Sequence, residues 1–409
     1  MVDVDIAYLD SRNWDEEAML ERSRWLRDHD PVHWSDKDGL WVISRFEDVW
    51  AVSKDQETFT SGQGVRPGLD IKIGLIDEEE PRHGALRGMI NRGFSPRMVK
   101  VLEGIFHKIT TDAIDSVAGQ GECEFVESIA VPLPLRLIAA MIGIREADYD
   151  RFHLWSDAMI AAEGNLDDPQ IAADAGKAYV EYATYVTPII EERRRNPKED
   201  LVSILAGAKD SGLLKEYDES GTVADSVGAP ELHNDELIKL MVILMVAGNE
   251  TTRNGISGGM QQLIENPEAR QRLIEDPSLI AQAVEEMVRI VSPVRSFGRT
   301  VTKNTRLGDR ELEAGQQVLM LYSSANRDER SFDDPDRFDI DRKPQHLGFG
   351  IGNHFCLGAN LARMEMRVAF EEILRRLPDM EYASGGPVLK PSALVRTCAE
   401  MKVRFTPEA

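Results

Sequence analysis

The sequence predicts a mainly α-helical protein with a small β-rich corner, folded as a single large domain over residues 1–409. Three observations predict it. Helical periodicity fills the middle of the chain, as in Met98 to Val117, Ala172 to Arg195 and Ala281 to Val291. Strand-like pieces sit early and late, at Leu40-Trp41-Val42-Ile43-Ser44 and Gln317-Val318-Leu319-Met320-Leu321. No Pro/Gly/Ser-rich linker or internal repeat divides the chain.

Charge and cysteine usage narrow the function. There are 71 acidic side chains against 48 basic ones, a net charge of −23. Phosphate repels such a surface, so neither nucleic acid nor an anionic membrane is an expected partner. The three cysteines, Cys123, Cys356 and Cys398, are too few and too scattered for a disulfide framework or a zinc finger. They fit a reducing cytoplasm. Met1 to Asp5 lacks the basic and apolar regions of a secretion signal. The most apolar stretch, Leu240 to Gly248, is far short of the roughly 20 residues that span a bilayer, so no membrane anchor is expected.

After the early strand comes the loop Ser61 to Glu80, long, irregular and glycine-rich, as binding loops often are. Asp210 to Glu231 is polar and reads as a surface connector. Asn234 then caps a helix, with Asp235 and Glu236 favourable in its first turn. From Leu237 to Val246 every residue but Lys239 is apolar, which places the helix inside the protein. It runs to about Asn266, so roughly 45 Å at 1.5 Å per residue.

In its middle lies Ala247-Gly248-Asn249-Glu250-Thr251-Thr252. Glycine is costly inside a helix, so a local reason is expected. Small residues leave room for a large group, a threonine hydroxyl can bond the carbonyl one turn back, and a buried carboxylate can relay protons. The same hexapeptide reads equally as a polar interruption with satisfied hydrogen bonds.

Near the C-terminus stands Phe349-Gly350-Ile351-Gly352-Asn353-His354-Phe355-Cys356-Leu357-Gly358. Leu357, Leu361, Met364 and Val368 then recur at helical spacing, so Cys356 sits at a helix start. Free amides there favour a thiolate. Gly350 and Gly352 let the backbone approach a bulky planar group, and Gly358 keeps the first turn small. Zinc would want further ligands beyond His354. Haem needs a single strong axial protein ligand. Cys123 and Cys398 read as small hydrophobes.

Together these two segments resemble a cytochrome P450. Between them, in the family's order, lies Glu286-Met287-Val288-Arg289, whose spacing puts Glu286 and Arg289 on one helix face. Asp334-Pro335-Asp336-Arg337-Phe338 resembles the family's meander, where Arg337 is expected to complete a buried Glu-Arg-Arg network. Pro81 opens a helix carrying His83 and Arg87 four residues apart, a pair suited to a haem propionate. Arg299 and His354 match the family's other propionate partners.

The resemblance implies haem b ligated by Cys356, close approach at Ala247, Gly248, Phe349, Gly350 and Gly358, and oxygen activation by Glu250 and Thr251. It implies dioxygen as oxidant and electrons from a ferredoxin with its NAD(P)H-dependent reductase, since the sequence carries no flavin or iron–sulfur segment. Arg97, Lys100, Arg363 and Arg367 are candidates for a local basic face toward that partner. Val65, Ile73, Met245, Val294 and Phe297 are expected among the pocket residues, and Arg66, Lys72 or Arg295 could hold a carboxylate. The expected reaction is insertion of one oxygen atom into an unactivated C–H bond of an apolar small molecule. The helix reading is most similar to members oxidising steroid side chains, terpenoids and branched lipids, with a sterol or terpenoid expected first. Fatty acids or aromatic compounds are the alternative, and a haem sensor or electron carrier the rival class.

Overall fold

The computed structural model describes residues 2–68, 74–94, 96–162, 168–198, 200–206 and 234–408. Ile73, Lys72 and the 210–231 connector lie outside the described residues. The chain groups into two compact units. The first holds residues 1–72, 103–134 and 250–409, and the second 73–102 and 135–249. The helix Asn234–Glu265 contributes to both, with the change at Asn249 and Glu250.

The first unit contains the β-rich corner. Its five-stranded sheet runs Val32–Ser35, Leu40–Ile43, Gln317–Leu321, Ser296–Val301 and Phe59–Thr60. The expected strands at 40–44 and 317–321 are therefore neighbours, paired in parallel with Val42 opposite Leu319. Val42, Ile43, Val318 and Met320 are fully buried, so apolar residues on both faces hold this sheet inside the unit. Val32, Ile43, Val301, Val318 and Met320 form one core with Val49 and Val52 of the Phe46–Lys54 helix.

The second unit is built on helices. Pro169–Arg195 starts at Asp168, whose carboxylate accepts the Gln170 and Ile171 amides, and ends on Arg193 to Arg195. Anion first and cation last suits the helix dipole. It packs on Tyr149–Ala161 through Trp155 against Tyr182 and Tyr185, with ring centroids 6.0 and 5.5 Å apart. The expected helices are all present, as Pro96–Ala118, Pro169–Arg195, Ile280–Val291 and Ala359–Arg376.

One expectation for the long helix needs correcting. Leu237, Met241 and Met245 are buried, but Val242, Ile243, Leu244 and Val246 are only half-buried. An apolar sequence all round thus leaves one apolar face partly open.

The Glu286–Arg289 pair is at 0% exposure on both sides and bidentate, with both N–O distances 2.7 Å. Arg289 also donates to the carbonyls of Asn326 and Pro335 at 2.8 Å and Arg337 at 3.3 Å, and lies over the Phe332 ring. Arg337 does not complete the network with its side chain. A turn closed by its own amide on the Asp334 carbonyl presents its carbonyl inward. Its guanidinium, 62% exposed, pairs with Asp339 and Asp334 instead. The second arginine on Glu286 is Arg342, at 3.2 Å, which also holds the Asp333 and Asp334 carbonyls.

Stripping one partner from a buried ion pair strands the other charge. Arg289→Met should therefore lower unfolding stability by about 3–5 kcal/mol. Arg342→Ala should cost at least about 1 kcal/mol, whereas Arg337→Ala, which keeps its carbonyl, should stay within about 0.5 kcal/mol. Denaturant unfolding of the three variants checks this, and an Arg337→Ala loss as large as that of Arg289→Met would sink the assignment.

Candidate active site

The cysteine loop is built by hydrogen bonds that its glycines permit. Gly350 and Gly352 take φ of +65° and +79°, where side chains are strained. A Cβ at Gly352 would also stand 2.7 Å from the Ser53 carbonyl oxygen. The Gly350 amide donates to the Leu347 carbonyl at 2.9 Å, and the Cys356 amide to the Phe349 carbonyl at 2.8 Å. Asn353 reaches Gln56 at 2.7 Å, and His354 Nε2 meets Ser61 Oγ at 3.1 Å. Cys356 is half-buried and comes just before the Ala359–Arg376 helix, whose Leu361, Met364 and Val368 are buried as the periodicity predicts. A Cβ on Gly358 would meet no protein atom within 4 Å, so this side of the turn is open.

In the same unit Arg299 is 4% exposed on the strand Ser296–Val301, and its guanidinium donates to the Gly298 carbonyl at 2.7 Å. The Gly298 amide donates to the Val65 carbonyl at 2.8 Å, which lays the start of the 61–80 loop along that strand. Of the expected pocket residues, Val65 and Phe297 are thereby brought together. Arg66 lies over the Phe297 ring, 5.1 Å from its centroid. Val294 is half-buried and bridges to Val395. Arg295 is not poised for a substrate carboxylate. It is 4% exposed, pairs with Glu16, and donates to the carbonyls of Trp14 and Ser392.

In the second unit, Pro81 is the N-cap of the helix Arg82–Ile90, which carries His83 buried and Arg87 half-buried. His83 Nδ1 lies 3.1 Å from Glu80 Oε1. Met245 is fully buried. A Cβ on Gly248 would press to 2.8 Å from Ile138 Cδ1, so this glycine is also required by helix packing.

Along the long helix, exposure alternates. Ala247 is exposed and Gly248 and Thr251 are half-buried, whereas Asn249, Glu250 and Thr252 are buried. Ala247 and Thr251 are four residues apart and share a face. Within the first unit, the thiol of Cys356 and the buried cation of Arg299 are a donor set that fits a haem.

Two residues around Glu250 were not singled out from sequence. Glu250 is 3% exposed. Arg253 Nη2 pairs with its Oε2 at 2.6 Å, and Asn254 Nδ2 donates to its Oε1 at 2.9 Å. Asn254 Oδ1 in turn accepts the Cys398 amide at 2.9 Å. The signal was present in the spacing, since i+3 and i+4 polar partners of a buried helical acid lie on its own face. Asn249 donates to Ser156 Oγ at 3.1 Å and ties the helix to Tyr149–Ala161.

The four cations of the expected basic face differ in how far they are committed to the chain's own carboxylates. Arg363 is bidentate to Glu285 at 2.6 and 2.9 Å, and Arg367 pairs with Glu371 at 2.9 Å and with Glu103. Both cations are committed inside the protein's own surface. Arg97 and Lys100 are exposed. Among the described residues no cluster of three or more His, Cys, Asp and Glu could hold a metal ion, and no helix is long and apolar enough to cross a membrane.

Comparison with known proteins identifies the family. The family model described as Cytochrome P450 matches residues 166–391. A steroid C26-monooxygenase of Mycobacterium tuberculosis is 36% identical over 411 residues, covering 99% of this chain and 98% of the relative. Another of that name, from Mycolicibacterium smegmatis, is 33% identical over 391 residues, 95% of this chain and 93% of the relative. Among solved structures, CYP109E1 from Bacillus megaterium in complex with testosterone superposes with a TM-score of 0.83 at 30% identity, covering 94% of this chain and 99% of that one. The chain belongs to the cytochrome P450 family, and is a monooxygenase that uses haem b, dioxygen, electrons from a redox partner and an apolar substrate.

Proposed function

We propose that the chain, acting as one catalytic domain, hydroxylates a steroid, most simply on its side chain. Haem b with a thiolate ligand supplies the oxygen chemistry when bound. Cys356 provides that ligand. His83, Arg87, Arg299 and His354 hold the propionates, and Ala247, Gly248, Phe349, Gly350 and Gly358 leave the macrocycle room. Glu250 supplies protons and Thr251 positions water. Ferredoxin and an NAD(P)H-dependent ferredoxin reductase supply electrons in the cytoplasm.

The observation that carries the reading is the exposure pattern on the long helix. Thr251 is half-buried, while the adjacent Glu250 is buried and tethered by Asn254. A carboxylate held beside a half-buried hydroxyl can pass protons without being exposed to bulk water. The steroid assignment is supported by the names of the relatives, by the testosterone complex, and by the apolar character of Val65, Val294, Phe297 and Met245. Such residues bind by burial, at roughly 25 cal/mol per Å². Ile73 belongs to the same proposal. A spectral titration with steroids, terpenes and fatty acids tests the substrate class. Steroids should bind tightest, and a clear preference for fatty acids would overturn it.

Three sets of variants test the roles. Cys356→Ser should abolish the red-shifted Soret band of the ferrous carbonyl form, while Cys123→Ser and Cys398→Ser keep it. If Cys356→Ser retains the band, the ligand is another residue.

His83→Ala with Arg87→Ala should speed haem transfer to an apo-acceptor while the shifted band survives. Each lost charge-assisted bond is worth about 1.5–3 kcal/mol before compensation. An unchanged transfer rate would remove both residues from the propionate set.

Thr251→Ala should leave substrate affinity nearly unchanged but lower product formed per NADPH consumed, with hydrogen peroxide making up the difference. Glu250→Gln should slow turnover, because its shape survives and its ionisable group does not. Thr252→Ala should be milder, since its buried side chain points about 100° further round the helix. Full coupling in Thr251→Ala with uncoupling in Thr252→Ala would exchange the two threonines.

A further inference from the structure

Beneath the cysteine loop lies a set of side chains with no role in the proposal above. Arg363, on the helix that follows Cys356, stacks its guanidinium on the Phe349 ring, 4.5 Å from the centroid. Glu285 fixes that guanidinium in plane with two bonds, Nε to Oε1 at 2.6 Å and Nη2 to Oε2 at 2.9 Å. His346 completes the set. Its Nδ1 accepts the Gly348 amide at 3.0 Å, which leaves Nε2 to donate to Glu285 Oε2 at 3.2 Å. The His346 ring also sits 5.7 Å from that of Phe349. Burial alone would raise the Glu285 carboxyl, but hydrogen bonds from His346 and Arg363 hold it down at about 2. The carboxylate therefore keeps its charge through the neutral range.

Both ends of this set act on the segment that presents the thiol. Arg363 holds the Phe349 side chain, and His346 holds the Gly348 main chain. The Phe349 carbonyl is the acceptor for the Cys356 amide. Movement of Phe349 would thus be felt at the cysteine one hydrogen bond away. A guanidinium is suited to this task because it can stack flat on a ring and donate two in-plane bonds at once, which an ammonium cannot. The same commitment makes Arg363 a poor docking cation, since its charge is already answered by Glu285.

We propose that Arg363 is a positioning residue for Cys356, acting through Phe349 and held in its working geometry by Glu285 and His346. The proposal rests on Cys356 being the haem ligand.

The test uses the holoenzyme and three variants. Arg363→Lys keeps the charge and loses the stacked, bidentate geometry. Glu285→Gln keeps the shape and loses the ion pair. Arg367→Lys is the control, one turn further along the same helix and paired with Glu371 and Glu103. The readouts are the rate at which the ferrous carbonyl form loses its red-shifted Soret band under mild warming, and the salt dependence of reduction by a surrogate ferredoxin. Arg363→Lys and Glu285→Gln should lose the band about threefold faster or more, while Arg367→Lys decays at the parental rate and salt dependence stays parental in all. If Arg363→Lys does not fold, Glu285→Gln and His346→Gln carry the same expectation. Parental band lifetimes in the clamp variants would overturn the proposal, as would equal acceleration in Arg367→Lys. A defect seen only as weaker, salt-sensitive reduction would also overturn it and make Arg363 a docking residue. A parent protein lacking the shifted band would instead overturn the ligand assignment on which the proposal rests.

Discussion

Two opposite charges at zero exposure constrain the first unit more than any other feature. Glu286 and Arg289 have no water to complete their hydrogen bonding, so the protein must supply every partner. It does so from segments far apart in sequence: the Asn326, Pro335 and Arg337 carbonyls, the Asp339 amide and Arg342. Asn326 carries the constraint onward. Its side chain donates to Ser292 Oγ and accepts the Leu347 amide at 2.7 Å. The Leu347 carbonyl then closes the turn at Gly350, whose neighbour Phe349 takes the Cys356 amide. A continuous run of hydrogen bonds thus leads from a buried ion pair to the cysteine. An irregular loop held this way needs no regular secondary structure to be fixed in place.

The long helix solves a different problem, being packed tightly and polar at once. Gly255, Gly258 and Gly259 weaken it by propensity. Each is offset by close packing. A Cβ on Gly259 would meet Phe370 at 2.6 Å and one on Gly258 would meet Val291 at 2.6 Å, while Met366 Sδ stands 3.0 Å from the Gly255 position. Immediately before this glycine face, Asn254 links Glu250 to the strand Thr397–Glu400 through the Cys398 amide. Cys398 is buried, and burial raises its thiol, so its contribution here is its backbone rather than its sulfur.

Legibility followed the range over which each feature is determined. Periodicity gave the helices to within a few residues, because a helix face repeats locally and each turn reports the next. The cysteine loop was readable because its constraints are backbone constraints, and glycine at Gly350 and Gly352 announces them. The second arginine on Glu286 was not readable in the same way. Arg337 and Arg342 both follow a run of acidic residues, and the choice depends on the turn at Asp334, whose φ of +45° no local pattern announces. The half-buried apolar face at Val242 to Val246 shows the same limit. Hydropathy says which side chains avoid water, but not whether enough neighbours exist to cover them.

Arg363 and Arg295 carry that limit into function. By composition each is a spare cation in an acidic protein, and either could be assigned to a partner or to a substrate carboxylate. What decides is whether the charge is already answered. Arg295 is held by Glu16 and two carbonyls, and stacks 5.9 Å from the Trp14 centroid. Arg363 is held by Glu285 and Phe349. An arginine that has given up its in-plane donors can still shape its surroundings through its flat faces and its position, but it has little left to offer a new anion. At a net charge of −23, most guanidinium groups here meet a carboxylate of the same chain first. Recognition of an acidic partner or ligand then falls to the few cations that the fold leaves exposed, and those are set by the packing rather than by the sequence count.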